Sequence, residues 1–327
     1  MVTAYLYAGQ GTQHRGMGKD LYERFACFGE IFDEVCGDEQ RPGALDFDLQ
    51  RMCFEDPDGE LSQTQYTQPC MTAVNVGITH ILRERGLRPD YVCGLSLGEY
   101  AALEAAGVFT AREAVEVTAF RGWAMAQAAE GIPGAMIAVL GLEEGILGKC
   151  CEEASSLGIV SIANHNCPGQ LVIGGEKAAV EKAALYAREA GAARCIPLAV
   201  SGPFHTSLMA PAGEKLDEYL GNMELGSMQI PVLFNCLGDE NREGRSIREL
   251  LVRQLQSVVR MEAILRRLFA LGVTEFVEIG PGKALTGFVR KTAKELGVRD
   301  YTTWSIETAE DVERYPGSLK EALGNRV

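Results

Sequence analysis

The run Gly94-Leu95-Ser96-Leu97-Gly98 has the form Gly-x-Ser-x-Gly. Its two glycines permit a sharp turn that lifts the serine hydroxyl clear of a sheet, with the following backbone N–H directed toward an attacked carbonyl. A serine held in this way can attack an ester or thioester and form a covalent acyl-serine. Because five-residue patterns also arise by chance, the elements around Ser96 decide whether it is a nucleophile.

A serine nucleophile needs a base, and the chain contains four histidines. His80 falls in an amphipathic helical pattern and is most simply a packed or surface residue. His14 follows a glycine-rich turn from which it could approach the site, and His165 lies in a predicted turn. His205 follows Gly202-Pro203-Phe204, where glycine and proline predict a fixed loop facing a cleft. His205 is the favoured base, and a purely structural histidine is the alternative.

The elements predicted around Ser96 are those of a nucleophile elbow. Residues 91–93 form a short predicted strand before the motif, and residues 99–106 form a helix after it. Residues 3–8 alternate and are rich in aromatics, so they predict a first strand that leads into Gly9-Gln10-Gly11. A glycine-rich turn after a strand is where an α/β sheet presents its backbone to a ligand.

The rest of the chain predicts two structural units. Between about 132 and 200 the pattern is β-α-β-β-α-β, with a turn at 166–169, which is the order of a ferredoxin-like split unit. We therefore predict a ferredoxin-like subdomain at 132–199, inserted into a large α/β-hydrolase-like domain with a parallel sheet core at 1–131 and 200–302. A C-terminal tail at 303–327 is predicted as a short helix or disordered. Further helices are predicted at 70–85, 111–129, 247–271 and 283–296, and further strands at 232–234 and 275–279.

Composition excludes several classes of function. The net charge of −14 argues against nonspecific nucleic-acid binding. No apolar run approaches the roughly 18 residues of a membrane span, and the N-terminus lacks the pattern of a secretory signal. The ten cysteines form no C-x-x-C pair and no metal-site spacing, so we expect buried thiols, no bound metal and a reducing, cytoplasmic location.

Several motifs in a fixed order give the sequence a family resemblance. With these motifs the chain resembles the malonyl-CoA:acyl carrier protein transacylases and the related polyketide-synthase acyltransferases over residues 3–296. The motifs are Gly9-Gln10-Gly11-Thr12-Gln13, the run from Gly94 to Tyr100, Arg121-Gly122 with Met125, Asn164-His165-Asn166 with Pro168-Gly169-Gln170, His205, and Glu278-Ile279-Gly280-Pro281-Gly282.

The resemblance implies a role for each matched residue. Ser96 would be the nucleophile and His205 the base of a Ser–His dyad, with the histidine oriented by a main-chain carbonyl in the neighbourhood of Gln254. The backbone N–H groups of Gln10 and Leu97 would form the oxyanion hole. Such preorganised donors typically contribute ~3 kcal/mol each to transition-state stabilisation.

Two further residues would set substrate specificity. Arg121, by this resemblance, binds the free carboxylate of a malonyl thioester, since a guanidinium matches a carboxylate with two parallel donors. A lone helical arginine is otherwise most simply a solvated surface residue. At position 204 the phenylalanine resembles the residue of the malonyl-selective members of the family. Members that use methylmalonyl tend to have serine at this position. One methyl group in a pocket is worth only ~1–3 kcal/mol, so Phe204 implies a preference.

The implied reaction is ping-pong transfer of malonyl from malonyl-CoA to the phosphopantetheine thiol of acyl carrier protein, for fatty-acid biosynthesis. No cofactor or metal is expected, and we expect a monomer. A trans-acting acyltransferase of a polyketide pathway is one alternative. A serine esterase or thioesterase is another, although the chain order and Arg121 argue against it. An inactive scaffold is disfavoured because Ser96 and His205 are both intact.

Two departures from the family pattern lie beside these residues. Leu95 occupies the position before the nucleophile where the family usually has histidine, and Val258-Val259 stands where it usually has Pro-Val after the matched glutamine. We expect altered packing beside the elbow.

The carrier protein of this family is acidic, so docking on an acidic chain requires a local basic patch. The candidates are Lys283, Arg290, Lys291, Arg253 and Arg260. A solvated helix face is the alternative interpretation.

Overall fold

The computed structural model describes residues 1–36, 45–200 and 202–316. Up to residue 131 its elements are β1 (Thr3–Tyr7), α1 (Lys19–Arg24), α2 (Ala26–Cys36), α3 (Leu49–Phe54), α4 (Thr64–Glu84), β2 (Tyr91–Gly94), α5 (Gly98–Ala105) and α6 (Ala111–Ala129). The next stretch contains β3 (Gly134–Leu140), α7 (Glu144–Ala154), β4 (Val160–Cys167), β5 (Gln170–Glu176), α8 (Lys177–Glu189) and β6 (Arg194–Pro197). The remainder forms α9 (Ala210–Gly221), β7 (Leu233–Phe234), β8 (Asp239–Glu240), α10 (Ile247–Leu255), α11 (Met261–Ala270), β9 (Glu275–Ile279), α12 (Ala284–Leu296), β10 (Thr302–Ile306) and α13 (Ala309–Arg314).

A four-stranded parallel sheet in the order β10-β9-β1-β2 forms the centre of the molecule. Every residue of β1 and β9 is buried, as expected for parallel strands covered by helices on both faces. The segment just before β7 extends this sheet at the β2 edge, because Val232 forms an isolated parallel β-bridge with Val92. The α/β class with a parallel sheet core, predicted from the sequence, is confirmed.

Helices cover this sheet and carry part of the site. α4 is buried along most of its length and packs against α6. A capping box, in which the side chains of Thr110 and Glu113 bond each other's backbone N–H groups, starts α6. The bounds of α6 agree with the predicted helix at 111–129.

A second sheet, in the order β4-β5-β3-β6, is antiparallel throughout. Helices α7 and α8 cover one face of this sheet. Together with that face they form a separate apolar cluster that includes Val139, Leu147 and Ile173. Residues such as Met136 and Val172 instead join the main core of the molecule. The small sheet is therefore bound to the large one through its own apolar face.

Three predicted elements differ from the structure. The predicted helix at 247–271 is two helices, because Val259 leaves the helix and bonds strand β4 through Ala163 and His165. The predicted turn at 166–169 is shorter, because β4 extends to Cys167. In the predicted tail at 303–327, the short helix α13 agrees with the prediction, the strand β10 was not predicted, and residues 317–327 lie outside the described residues. β10 is an edge strand whose one buried residue is Ile306, so its sequence signal is weak.

The cysteines agree with the prediction of buried thiols. All ten cysteines are free, and all but Cys36 are buried. Among the described residues, no helix combines the length and apolar character needed to cross a membrane.

Candidate active site

Ser96 occupies a strained turn between β2 and α5, at the carboxyl end of the parallel sheet. Its φ of 53° is in the left-handed region, which residues with a side chain seldom adopt. A Cβ on Gly94 would collide with the backbone of Gly98, and one on Gly98 would collide with the carbonyl of Tyr7. The motif needs both glycines because β1, β2 and the start of α5 converge on this turn.

His205 lies against Ser96 in a geometry suited to proton transfer. Its Nε2 is 2.7 Å from Ser96 Oγ, and its Nδ1 is 3.0 Å from the main-chain oxygen of Gln254. A carbonyl oxygen only accepts, so Nδ1 carries the hydrogen and Nε2 offers its lone pair to the serine hydroxyl. The carbonyl is free for this bond because α10 ends at Leu255, and the last carbonyls of a helix lack helical partners.

The surroundings of His205 keep its imidazole neutral. Burial lowers its pKa to about 4, and the nearby positive charge of Arg121 contributes in the same direction. The hydrogen bond to Gln254 opposes this shift and is the smallest of the three effects. At neutral pH the imidazole can therefore accept a proton from Ser96.

Arg121 is fully buried in α6, and its guanidinium reaches the nucleophile. Nη2 donates to Ser96 Oγ at 3.2 Å and to Gln254 Oε1 at 3.0 Å, and Nη1 donates to Gln68 Oε1 at 2.7 Å. In the described part of the chain, Arg121 has no carboxylate within ion-pair distance and its Nε has no hydrogen-bond partner. Burial lowers the pKa of Arg121, and the coulombic effects of Tyr100 and Glu99 act against that shift. The site therefore holds a buried cation without a carboxylate partner.

Gln68, which sequence reasoning missed, holds this guanidinium in place. It is buried in α4, and its Nε2 donates to Thr64 Oγ1 at 3.0 Å. Thr64 Oγ1 in turn donates to Gln10 Oε1 at 2.9 Å, which ties the glycine-rich turn to the same network. The sequence feature that could have indicated Gln68 is its position in an apolar helical pattern. A glutamine buried there needs hydrogen-bond partners from other elements.

The predicted oxyanion donors lie beside Ser96. Gln10 and Leu97 both line the cavity that contains the serine. Within the described ranges, neither backbone N–H donates a hydrogen bond to another residue. Two free donors at the carboxyl end of the sheet are suited to an oxygen that gains negative charge.

The cavity above Ser96 has a volume of about 260 Å³ and is mostly apolar. The small sheet contributes Met136 and Val172 to its wall, and Leu198 follows from the end of that sheet. Phe204, which is 6% exposed, and Leu95 also line it. Leu95 packs against the apolar cluster beneath the elbow, where the resembling family usually has a polar histidine.

The structure places the other three histidines away from the serine. His14 is exposed and pairs with Glu307 at 2.6 Å. His80 contacts Glu104 at 2.9 Å. His165 lies on β4, with its Nε2 3.6 Å from a carboxylate oxygen of a glutamate in α7. His205 is therefore the histidine that meets Ser96.

Four of the five predicted docking cations fall into two groups, and the fifth, Lys283, lies at the start of α12. Lys291 donates to Gln170 of the small sheet at 3.1 Å, and Arg290 donates to Thr303 at 3.1 Å. Arg253 and Arg260 line a separate cleft of about 730 Å³ that also touches His205. Within the part of the chain that the structure describes, no cluster of metal-ligating side chains occurs.

Comparison with known proteins gives consistent matches over nearly the whole chain. A model of the acyl transferase domain matches residues 4–318. The chain is 41% identical over 323 residues to the malonyl CoA-acyl carrier protein transacylase of Bacillus subtilis strain 168, covering 98% of each protein. Its fold is similar to the crystal structure of MCAT from Streptococcus pneumoniae, with a TM-score of 0.86, 40% identity, and coverage of 95% of this chain and 98% of that one. It is also similar to a malonyl-transacylase solved in complex with its type II PKS acyl-carrier protein, with a TM-score of 0.89, 35% identity, and coverage of 96% and 98%.

Proposed function

The chain belongs to the acyl transferase domain family, and from that membership we propose that it transfers malonyl from malonyl-CoA to the phosphopantetheine thiol of an acyl carrier protein. The observation that carries the proposal is the distance of 3.2 Å between Arg121 Nη2 and Ser96 Oγ. In a malonyl thioester the carboxylate is one methylene from the reacting carbonyl. The group that binds the carboxylate must therefore lie within a few ångströms of the nucleophile.

The first half-reaction acylates Ser96. As Oγ attacks the thioester carbonyl, His205 Nε2 takes the hydroxyl proton, and the main-chain oxygen of Gln254 stabilises the resulting imidazolium. The N–H groups of Gln10 and Leu97 bind the oxyanion of the tetrahedral intermediate. Collapse of the intermediate breaks the C–S bond, and the thiolate of CoA takes the proton from His205.

The second half-reaction reverses these steps with a different thiol. The phosphopantetheine thiol of the carrier protein gives its proton to His205 and attacks the malonyl-serine carbonyl. Ser96 leaves and recovers a proton from His205, so the enzyme returns unchanged. This ping-pong scheme needs no metal or cofactor on this chain. The mostly apolar cavity limits competing attack by water.

Selectivity follows from the buried guanidinium. Nε, which has no partner among the described residues, and Nη2 lie on one edge of the guanidinium, and this edge can donate to both oxygens of a carboxylate when Nη2 exchanges its bond to Ser96 Oγ for the carboxylate. A neutral acetyl group would leave Arg121 buried without an anionic partner, which is costly. Phe204 narrows the cavity and favours malonyl over methylmalonyl groups.

The finer structural and biological assignments are part of the same proposal. The strand order of residues 134–197 supports a ferredoxin-like subdomain at 132–199. The strand–serine turn–helix order supports the α/β-hydrolase-like description of residues 1–131 and 200–302. We further propose a role in fatty-acid biosynthesis, a monomer, and a cytoplasmic location, the last supported by ten free cysteines.

Intact-mass measurement tests the proposed activity. We expect malonyl-CoA to add one malonyl group to the wild-type chain and none to Ser96→Ala, whereas acetyl-CoA leaves the wild-type mass almost unchanged. Adding holo acyl carrier protein should move the malonyl group to the carrier. Rapid release of free malonate without transfer would indicate a thioesterase. An acetyl adduct without a malonyl adduct would contradict the role of Arg121.

A further inference from the structure

Asn235 lies directly after β7, at the carboxyl end of the sheet beside β2. It is fully buried, and each of its four polar groups has a partner. Its backbone N–H donates to Glu99 Oε2 at 2.6 Å, and its backbone oxygen accepts from the N–H of Arg260 at 3.0 Å. Its side chain bonds the elbow. An asparagine held from every side has one orientation.

The Asn235 side chain bridges Gly94 and Ser96 in the first half of the strained turn. Oδ1 accepts from the backbone N–H of Ser96 at 2.7 Å, and Nδ2 donates to the carbonyl of Gly94 at 2.7 Å. On the opposite side, Gln254 Nε2 donates to the carbonyl of Ser96 at 3.0 Å. A left-handed φ at a serine persists only where the surroundings impose it, and these amides bond the Ser96 backbone on both sides.

Glu99, in the first turn of α5, fixes Asn235 in turn. It is fully buried, and burial raises its pKa to about 8. The hydrogen bond from Asn235 and the charge of Arg121 oppose that shift without cancelling it. Its carboxyl group therefore serves here as a hydrogen-bond acceptor, a function that a neutral amide can also perform.

We propose that Asn235, held by Glu99, is a positioning residue for the acyl transfer. It fixes the peptide of Ser96, so that Oγ meets His205 and the N–H of Leu97 faces the oxyanion. This inference rests on the proposed function. Asn235 does not line the cavity and makes no hydrogen bond to Arg121, so it acts on the rate of acylation and leaves malonyl binding unchanged.

Rapid-quench mass spectrometry of the malonyl adduct tests the proposal. For Asn235→Ala we expect the acylation rate constant at saturating malonyl-CoA to fall by about 10²-fold, with half-saturation within about threefold of wild type, because small misplacements of reacting atoms have effects of this size. Glu99→Leu should lower the rate by a smaller factor. Glu99→Gln keeps an acceptor for the backbone N–H of Asn235, so its acylation rate should stay close to that of the wild type.

Glu275→Leu is the matched control for loss of a buried carboxyl group. Glu275 accepts from Thr3 Oγ1 at 2.8 Å and from Tyr315 OH at 3.1 Å, and it has no contact with the elbow. The Glu275→Leu variant should have a lower free energy of unfolding than the wild type. At temperatures where this variant is folded, its acylation rate should equal that of the wild type. If Asn235→Ala does not fold, the three glutamate variants carry the test.

The outcomes separate the two proposals. A wild-type chain that forms no malonyl-serine contradicts the proposed function itself. A wild-type chain that loads malonyl, with folded Asn235→Ala or Glu99→Leu loading equally fast, overturns the positioning role. If Glu99→Gln is as slow as Glu99→Leu, a neutral acceptor at position 99 is not enough to hold Asn235, and this part of the proposal is wrong.

Discussion

The two sheets of this molecule contribute to the site in different ways. The carboxyl end of the parallel sheet carries Ser96, and its surroundings hold Arg121, Gln254 and Asn235 by short hydrogen bonds. The small antiparallel sheet supplies part of the cavity wall, where the apolar Met136 and Val172 lie with Asn164 and Asn166, and it contributes neither the nucleophile nor the base. Buried polar groups fix one geometry, because each unpaired group is costly, whereas apolar walls tolerate changes of shape. Substitutions in the first region should therefore change rates, and those in the second should change which acyl group fits.

The largest expected effect is that of His205→Ala. Removing the base should lower the rate of Ser96 acylation by on the order of 10⁵–10⁶-fold, the scale found when a serine enzyme loses its histidine. His165→Ala, which removes a half-buried histidine of the small sheet, is the control and should load malonyl normally. Stopped-flow measurement of CoA release gives the acylation rates of both variants. Equal losses of rate in the two variants would contradict the different roles given to the two sheets.

Arg121→Ala should abolish the preference for malonyl. Loss of a buried charge partner costs about 2–5 kcal/mol, so kcat/KM for malonyl-CoA should fall steeply while acetyl-CoA loading is retained or rises. Arg121→Lys keeps the charge and loses the two-donor edge, and it should be intermediate. The measurement is the ratio of kcat/KM for the two thioesters. Full malonyl activity in Arg121→Ala would refute carboxylate binding by this residue.

The pH dependence should report the environment of His205. With its pKa at about 4, acylation by the neutral ester p-nitrophenyl acetate should stay constant as pH falls from 8 to 5. In Arg121→Ala the acid limb should move to higher pH, since the second cause of the shift is removed. An acid limb near 6.5 in the wild type would contradict a buried neutral imidazole.

The same shift has a consequence for stability. Below pH 6.5 the unfolded chain protonates His205 while the folded chain does not, so the unfolded state binds more protons. The contribution of His205 to the free energy of unfolding should therefore fall as pH decreases from 6.5 to 4. Comparing urea unfolding of the wild type with His205→Gln over this range measures it. A difference between the two that is independent of pH would contradict the assignment.

Changes in the apolar wall should have moderate effects on selectivity. Met136→Ala and Phe204→Ala enlarge the cavity, and each should raise kcat/KM for methylmalonyl-CoA relative to malonyl-CoA by roughly tenfold, since a methyl group is worth ~1–3 kcal/mol. Competition between the two thioesters, read by mass spectrometry, gives the ratio. If malonyl loading falls and this ratio does not change, the wall residues affect the rate of acylation and do not set the preference between the two acyl groups.

The smallest expected effect is on carrier docking. Reversing Arg290 and Lys291 together to glutamate should raise KM for carrier protein several-fold at low salt and leave CoA-side acylation unchanged, because exposed charges act weakly and are screened. Reversing the exposed Lys149 of α7 and Lys177 of α8 together to glutamate is the control matched in charge. Carrier kinetics unaffected by the double change would discard this patch.

The sequence by itself determined the local features of this protein. The serine turn is encoded by Gly94 and Gly98, because the backbone elements that meet there exclude a Cβ. The helix at 111–129 starts at a capping box formed by neighbouring residues. The helix cap and the close approach of Gly94 to Gly98 depend on contacts within a few residues, so single-sequence patterns detect them, whereas Gly98 is also required by Tyr7 of β1. The order of motifs was sufficient to place the chain in its family.

Only the tertiary structure decided the network around these residues. Asn235 and Gln68 reach the site from β7 and α4, far from Ser96 along the chain, and nothing in their local patterns distinguishes them from other buried amides. Val259 ends a helix because it bonds β4, and β10 forms because β9 offers it an edge. The physical reason is common to all four. A buried polar group takes the partner that the fold brings to it, and that partner is not a neighbour in sequence.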